Sequence, residues 1–318
     1  MNVLVTGGAG YIGSHTVHEL INQGFNVVVF DSLENGYKEF LPKTAKLFQG
    51  NLENKKDLEE VFSSNKIDAV IHFAGYALVG ESMENPVKYF HNNLANGINL
   101  LKTMKKFNVN KIVFSSTCAT YGIPEKLPLE ESHPTNPVNY YGLSKKLFEQ
   151  VLESSKINFI ALRYFNAAGA AFGIGEIHNP ETHLIPIVLE AALGKRDSIK
   201  IFGTDYPTKD GTCIRDYIHV LDLASAHILA LKSLEEGKSG VYNLGTGKGT
   251  SVREVIDLCK EITGREIKVI EEERRPGDPA ELVAFPLKAK TELNWEAKYN
   301  IRDIIKSAWD WHSKHKSI

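Results

Sequence analysis

Residues 1–15 read MNVLVTGGAGYIGSH and residues 26–31 read NVVVFD. Asn2–Thr6 is a short apolar run that suits a buried strand of a parallel sheet, and Tyr11–Gln23 carries a helical pattern. The glycines between them fit two registers, Gly8-x-Gly10-x-x-Gly13 and Gly7-x-x-Gly10-x-x-Gly13. A turn from strand to helix needs residues that tolerate positive φ, and one position without a Cβ where a pyrophosphate can approach the backbone. The last glycine lets the helix pack closely on the strand. The helix N-terminus then presents free N–H groups and a positive dipole end to the phosphates. A glycine pattern alone is weak. This one follows a strand, opens a helix and is followed by Asp31, which closes the next strand 18 residues after Gly13. Those are the conditions for a dinucleotide site. A carboxylate at Asp31 accepts from the adenosine ribose hydroxyls and repels a 2′-phosphate, so the expected cofactor is NAD rather than NADP.

Working outward, strand candidates fall at 46–49, 68–73, 111–115 and 159–165, and helical candidates near 55–63, 84–107 and 139–155. Alternating βα units predict an α/β fold with a doubly wound parallel sheet, a Rossmann architecture. After Asn166 the character changes. A loop is expected at 169–182, helices near 183–194, 251–263 and 301–315, and a strand leading into a helix at 217–234. The expected division is an NAD-binding Rossmann domain at 1–166, to which a segment near 217–246 returns. A smaller, interleaved C-terminal α/β domain at 167–318 is expected to bind substrate. A chain of 318 residues allows about two domains on length alone.

Composition bounds the partners. Hydrophobic residues make up 42% and charged residues 24%, close to the globular average, and the formal net charge is −2. A near-neutral chain has no overall attraction to nucleic acid or anionic lipid. Cys118, Cys213 and Cys259 are odd in number and show no CxxC spacing, so free thiols in a reducing compartment are expected. The N-terminus shows no basic leader or cleavage site, and no apolar run reaches about 18 residues. The expectation is a cytoplasmic protein with no membrane segment.

Tyr141-Gly-Leu-Ser-Lys145 places a phenol and an ammonium on one face of a predicted helix. A phenol with a pKa near 10 is a poor base at neutral pH, and a fixed positive charge nearby favours its phenolate. The bland reading is an amphipathic helix with a solvated lysine. The preceding predicted strand ends Phe114-Ser115-Ser116-Thr117, where ligands of open α/β sheets sit. A hydroxyl there can orient a substrate hydroxyl. The bland reading is a strand-end Thr capping its own backbone, plausible for Ser115 or Ser116.

Several stretches resemble the extended short-chain dehydrogenase/reductase family, over essentially the whole chain. They are TGGAGYIGSH at 6–15, FAGYALVGES at 73–82, FSSTCATYG at 114–122, YYGLSK at 140–145 and LRYFNAAGA at 162–170. Others are HNPETHLIP at 178–186, FGTDYPTKDGTCIRDYIHV at 202–220, NLGTGKGTSV at 243–252 and RRPGDPAEL at 274–282. The 202–220 stretch resembles the family's 4-epimerase branch in particular. The resemblance implies reversible epimerisation of UDP-glucose and UDP-galactose at C4 through a 4-keto sugar, with retained NAD taking and returning hydride. It implies Tyr141 as the base, Thr117 as the partner of the O4 hydroxyl, and Lys145 on the nicotinamide ribose. Implied NAD contacts are Gly7, Gly10, Tyr11, Ile12, Gly13, Asp31, Asn35, Asn51, Leu52, Phe73, Ala74, Gly75, Asn92, Thr117, Tyr141, Lys145 and Phe165. On the UDP-sugar side they are Thr117, Tyr141, Asn166, Leu184, Arg215, Arg275, Asp278 and Leu282. Two arginines suit a diphosphate because each can bind it through two hydrogen bonds. A homodimer through the helices near 84–107 and 139–155 is also implied.

Three positions depart from the family pattern. Ala77 stands where a lysine is frequent, with Tyr76 a possible compensation. Asn51 stands where an aspartate usually meets the adenine. Leu282 stands where a tyrosine is frequent in enzymes restricted to glucose and galactose, which implies acceptance of UDP-N-acetylglucosamine and UDP-N-acetylgalactosamine as well. The alternatives are a nucleotide-sugar dehydratase or decarboxylase, a net reductase, and a catalytically silent NAD-binding sensor. A dehydratase needs an Asp-Glu pair after Thr117, where this chain has Cys118-Ala119. No metal is expected: His15 and His18 lack a third ligand and read as surface histidines, and His219 as structural. Val87, Phe90, Leu94, Ile98 and Leu101 read as one apolar face, core or interface.

Overall fold

A computed structural model describes residues 1–275 and 277–315. The strands are β1 (Asn2–Thr6), β2 (Asn26–Asp31), β3 (Lys46–Gln49), β4 (Ala69–His72), β5 (Lys111–Thr117), β6 (Asn158–Tyr164) and β7 (Asn166–Ala168). They continue as β8 (Ile199–Phe202), β9 (Ile214–His219), β10 (Gly240–Leu244), β11 (Gly249–Ser251), β12 (Val269–Glu272) and β13 (Glu281–Leu282). The helices are α1 (Tyr11–Asn22), α2 (Lys55–Ser63), α3 (Val79–Glu84), α4 (Pro86–Tyr89), α5 (Asn96–Lys106) and α6 (Tyr140–Ser154). They continue as α7 (Leu184–Ala192), α8 (Val220–Glu235), α9 (Val252–Thr263), α10 (Leu287–Glu292) and α11 (Ile301–His312).

The main sheet has seven parallel strands in the order β10-β6-β5-β4-β1-β2-β3. Its central strands are apolar on both faces because both are covered. Val3, Val5, Ile71, Val113 and Leu162 pack with α1 and α8 on one side. Leu4, Val70, Ile112, Phe114 and Ala161 pack with α2, α5 and α6 on the other. Strand order reverses between β1 and β4, the switch point at which such sheets bind ligands.

The segment near 217–246 returns to this sheet only in part. The strand beginning it, β9, pairs instead with β7, β11 and β13 in a four-stranded sheet. Helix α8 packs on the main sheet, and β10 joins it beside β6. A third core lies among α7, α9, α11 and β8.

The helical pattern at 84–107 is interrupted. A π-turn spans Phe90–Ala95 between α4 and α5, and it rotates the following face. The buried residues are Tyr89, Asn93, Asn96, Gly97, Leu100, Leu101, Thr103 and Met104. Of the apolar face expected from spacing, only Leu101 is fully buried, while Phe90, Leu94 and Ile98 are half-buried and Val87 is 73% exposed.

Candidate active site

Gly7 has φ +71, and a Cβ there would lie 2.5 Å from the Ala74 nitrogen, beyond the end of β4. A Cβ on Gly13 would lie 2.2 Å from the Gly7 carbonyl oxygen. A Cβ at Gly8 would lie 2.9 Å from a Val29 methyl, and one at Gly10 3.4 Å from the Gly7 carbonyl oxygen. The Gly10 N–H donates to Gly7 O at 3.2 Å, and Gly10 caps α1 without a side chain. The N–H groups of Tyr11, Ile12 and Gly13 open the helix and have no carbonyl of a preceding turn to bond. Asp31, buried at the end of β2, accepts from the Ala9 N–H through Oδ2 and the Leu33 N–H through Oδ1, both at 2.9 Å. Burial pushes its carboxyl above the usual range, against those two hydrogen bonds.

Around this turn, Leu52 is buried, Phe73 and Ala74 are half-buried, and Asn35, Asn51 and Gly75 are exposed. The Asn51 Oδ1 accepts from the Glu53 N–H at 2.9 Å. Tyr11 donates its hydroxyl to Gly169 O at 2.6 Å. Tyr76 donates its hydroxyl to Glu34, so it stands as an anion's partner beside Ala77. Asn92 donates to Asn93 Oδ1. Asn93 itself is buried; it accepts from the Tyr76 N–H at 2.8 Å and donates to Ser144 Oγ at 3.1 Å, tying the loop after β4 to α6. Sequence reasoning passes over Asn93. A buried polar residue on an otherwise apolar face is the signal that points to it.

Helix α6 begins under the Asn139 side chain, which accepts from the Gly142 N–H at 2.8 Å. Tyr141 and Lys145 follow one turn apart. Lys145 is 4% exposed, which excludes the solvated-lysine reading. Its Nζ donates to Ser115 O at 2.9 Å and lies 4.9 Å from the Phe114 ring centroid. Burial brings Lys145 down to about 8, with Glu149 acting the other way. Burial pushes the Tyr141 phenol up to about 12, opposed by a hydrogen bond with Thr117. Lys145 is also 3.3 Å from where a Gly75 Cβ would stand, so the loop after β4 touches both the glycine turn and the lysine.

Of the hydroxyls ending β5, it is Thr117, rather than Ser115 or Ser116, that caps its own backbone. Thr117 Oγ1 accepts from the Ala119 N–H at 3.1 Å and caps the next turn. Ser115 hydrogen-bonds Tyr164, and Ser116 donates to Glu149. Glu149 also receives both Nε and Nη2 of Arg163 in a buried ion pair beneath the site. The reason is strand geometry: alternate side chains point to opposite faces.

On the far side of the cleft, β9 presents Arg215. Its Nη1 donates to Ile214 O and Pro279 O, and its Nη2 pairs with Asp278. Leu282 lies in register with Arg215 across the β13–β9 pair and packs on a cluster containing Phe165. Asn166 donates to Asp216 O at 3.1 Å, and Leu184 opens α7. Arg275 is exposed, with its guanidinium 3.7 Å from the Phe202 ring centroid, and its carbonyl accepts from the Asp278 N–H at 3.3 Å. Asp216, unmarked in the sequence, is a buried carboxylate that accepts from the backbone of Thr246, Gly247 and Ala284.

Of the two flagged histidines, His15 is not a surface group and His18 is half-buried. His15 is fully buried, bonded to Tyr11 O and the Ala171 N–H, and burial lowers it to about 4. His18 stacks on Phe172 at 4.8 Å. His219 caps α8 by accepting from the Leu221 N–H, a structural role.

A sequence profile of the NAD dependent epimerase/dehydratase family matches residues 3–245. The chain is 50% identical over 323 aligned residues to a UDP-glucose 4-epimerase of Halalkalibacterium halodurans, covering 99% of this chain and 96% of that protein. It superposes with a TM-score of 0.93 and 42% identity on UDP-glucose 4-epimerase from Bifidobacterium longum in complex with NAD+ and UDP, covering 99% and 98% of the two chains. The UDP-Glc/GlcNAc 4-epimerase of Campylobacter jejuni matches with a TM-score of 0.88 and 42% identity, covering 99% of each chain.

Proposed function

The chain belongs to the NAD dependent epimerase/dehydratase family, and we infer that it interconverts UDP-glucose and UDP-galactose at C4 with retained NAD. The observation that carries this reading is the juxtaposition of Lys145, Tyr141 and Thr117 with the glycine turn through Gly75 and Ala74. The turn fits the cofactor: a Cβ at Gly7 would collide with backbone, and the first N–H groups of α1 are unpaired by the helix. Asp31 and the adjoining Leu52, Phe73 and Asn35 are the residues for its adenosine half.

NAD, when bound, accepts and returns the C4 hydride and places positive charge near Tyr141. Tyr141 takes the proton from O4, and Thr117 orients that hydroxyl. Lys145 stays largely protonated at neutral pH and holds its charge beside the ribose and the phenol. Arg215 and Arg275 bind the diphosphate, and Asp278 meets the uridine ribose. The 4-keto sugar turns about its diphosphate link, and Tyr141 returns the proton once the opposite face is reduced. Cys118 stands where a dehydratase needs an acid, and burial pushes its thiol up to about 12, which disfavours that reading. Leu282 leaves room beside C2, so the N-acetylated sugars are included among the substrates.

Purified enzyme incubated with UDP-galactose or UDP-N-acetylgalactosamine, without added NAD, tests all three points by product analysis. The expected products are the corresponding gluco sugars. A need for added NAD on each turnover would overturn cofactor retention, and inertness toward the N-acetylated sugar would overturn the wider range.

Val79, Met83 and Val87 on α3 and α4 are 46%, 52% and 73% exposed, beside Tyr140 at the start of α6. This apolar surface supports a homodimer, and light scattering at twice 35.4 kDa tests it against a single-chain mass. Among the described residues no helix is long and apolar enough to cross a membrane. The three unpaired thiols support a cytoplasmic location, to be checked by cell fractionation.

A further inference from the structure

Outside the site above, Glu176, His178, Glu181 and His183 gather before α7. One ligand atom from each lies within 4.8 Å of the other three. The contacts alternate around a closed ring. His178 Nδ1 lies 3.5 Å from Glu176 Oε1 and 3.6 Å from a Glu181 oxygen; His183 Nδ1 lies 3.1 Å from Glu176 Oε1 and 3.0 Å from Glu181 Oε1. Two separate His–Glu ion pairs have no need of this crossing. A tetrahedral ion with bonds of about 2.0–2.1 Å holds neighbouring ligand atoms about 3.3 Å apart, and the four separations, which reach Glu181 through both of its carboxylate oxygens, run from 3.0 to 3.6 Å.

A second observation points the same way. His178 Nδ1 is buried and makes no hydrogen bond, although two carboxylates face it. The Glu176 side chain is only 6% exposed and is committed to no backbone donor, whereas Glu181 Oε1 also receives the N–H groups of Thr182 and His183 at 2.8 Å. An unbonded buried imidazole nitrogen and a buried carboxylate are what a missing cation leaves behind.

We propose that Glu176, His178, Glu181 and His183 form a structural site for a divalent transition-metal ion of the zinc class. Two imidazoles with two carboxylates form a mixed N/O set that suits Zn²⁺ or Co²⁺; Mg²⁺ and Ca²⁺ prefer all-oxygen shells. Both histidines ligate through Nδ1 and carry their remaining proton on Nε2. Two carboxylates balance the ion's two charges. The two histidine side chains are 29% and 41% exposed, which gives the ion a way in. The bond set closes the loop between Glu176 and His183 and fixes the first turn of α7, where Leu184 stands.

The test uses the full chain with its NAD retained, stripped with chelator and titrated with Co²⁺ as a coloured stand-in, then with Zn²⁺. One equivalent is expected, with the strong visible absorption of tetrahedral Co²⁺ and its loss on adding Zn²⁺. His178→Ala and His183→Ala should each weaken binding roughly tenfold or more, since even outer-shell losses cost that much. Retained NAD and an unchanged circular dichroism spectrum show that the variants fold. Failure to bind Co²⁺ tetrahedrally, or full binding in folded His178→Ala, overturns the proposal.

Discussion

Burial drives Tyr141 and Lys145 toward their neutral forms, raising the phenol to about 12 and lowering the ammonium to about 8. Lys145 alone therefore does not make Tyr141 a base. Bringing the phenol from about 12 to near neutrality takes roughly 7 kcal/mol, which the positive cofactor and the bound sugar hydroxyl must supply together. Removing the phenol oxygen should then be felt in turnover and hardly at all in cofactor binding. Tyr141→Phe is expected to lower kcat by about 10²–10⁴-fold while NAD remains bound. Steady-state rates alongside cofactor absorbance check this, and a variant turning over within tenfold of the parent refutes the assignment. The same residue scale shows what spacing hides. Ser115, Ser116 and Thr117 look interchangeable in the chain, yet they bond Tyr164, Glu149 and the Ala119 N–H respectively.

At the scale of elements, α1 is held against β1 and β4 by two bare positions. A methyl group on Gly13 would lie 2.2 Å from Gly7 O and 2.9 Å from the Gly8 Cα, both backbone atoms that cannot swing aside. Gly13→Ala must therefore push the start of α1 away from the turn and misalign its N–H groups. The expected result is protein that purifies without NAD and unfolds at lower urea than the parent; NAD retained at parental occupancy would contradict it. The strands of the main sheet were legible because burial on both faces writes continuous apolar runs, and the helices between them because their period is helical. Three things were not. The π-turn at Phe90–Ala95 leaves no trace in composition, so spacing puts Phe90, Leu94 and Ile98 on one apolar face, core or interface, whereas Tyr89, Asn93 and Gly97 occupy the buried one. An apolar run such as β9 does not say which sheet it joins. Asp278 and Arg215 meet although 63 residues apart, a pairing that no local pattern announces. The glycine turn, Asp31 and the Tyr141–Lys145 spacing were legible because each is a local pattern with a mechanism.

For the whole molecule, buried histidines set the response to acid. His15, His72, His219 and His227 are at most 2% exposed, and burial lowers them to about 4, 3, 4 and 4. In the unfolded chain each titrates near 6.5. Between those values the unfolded state holds protons that the native state refuses, so native stability is complete above about pH 6.5 and is lost as pH falls toward 4. The raised carboxyls of Asp31, Asp216 and Asp222 act in the opposite sense, between the unfolded value near 3.8 and their own native values, so they offset part of the histidine effect. The midpoint of urea unfolding should therefore fall steadily from pH 6.5 to 5. His227 isolates one contribution. Its Nε2 is buried without a partner and its ring lies 4.5 Å from that of Phe73, so a ring without ionisable nitrogen can take its place. His227→Phe should remove up to about 1.4 kcal/mol per pH unit from the slope at the acid end of the window. A slope unchanged by that substitution, or a midpoint that rises on acidification, would show that the imidazole is not held neutral in the native fold.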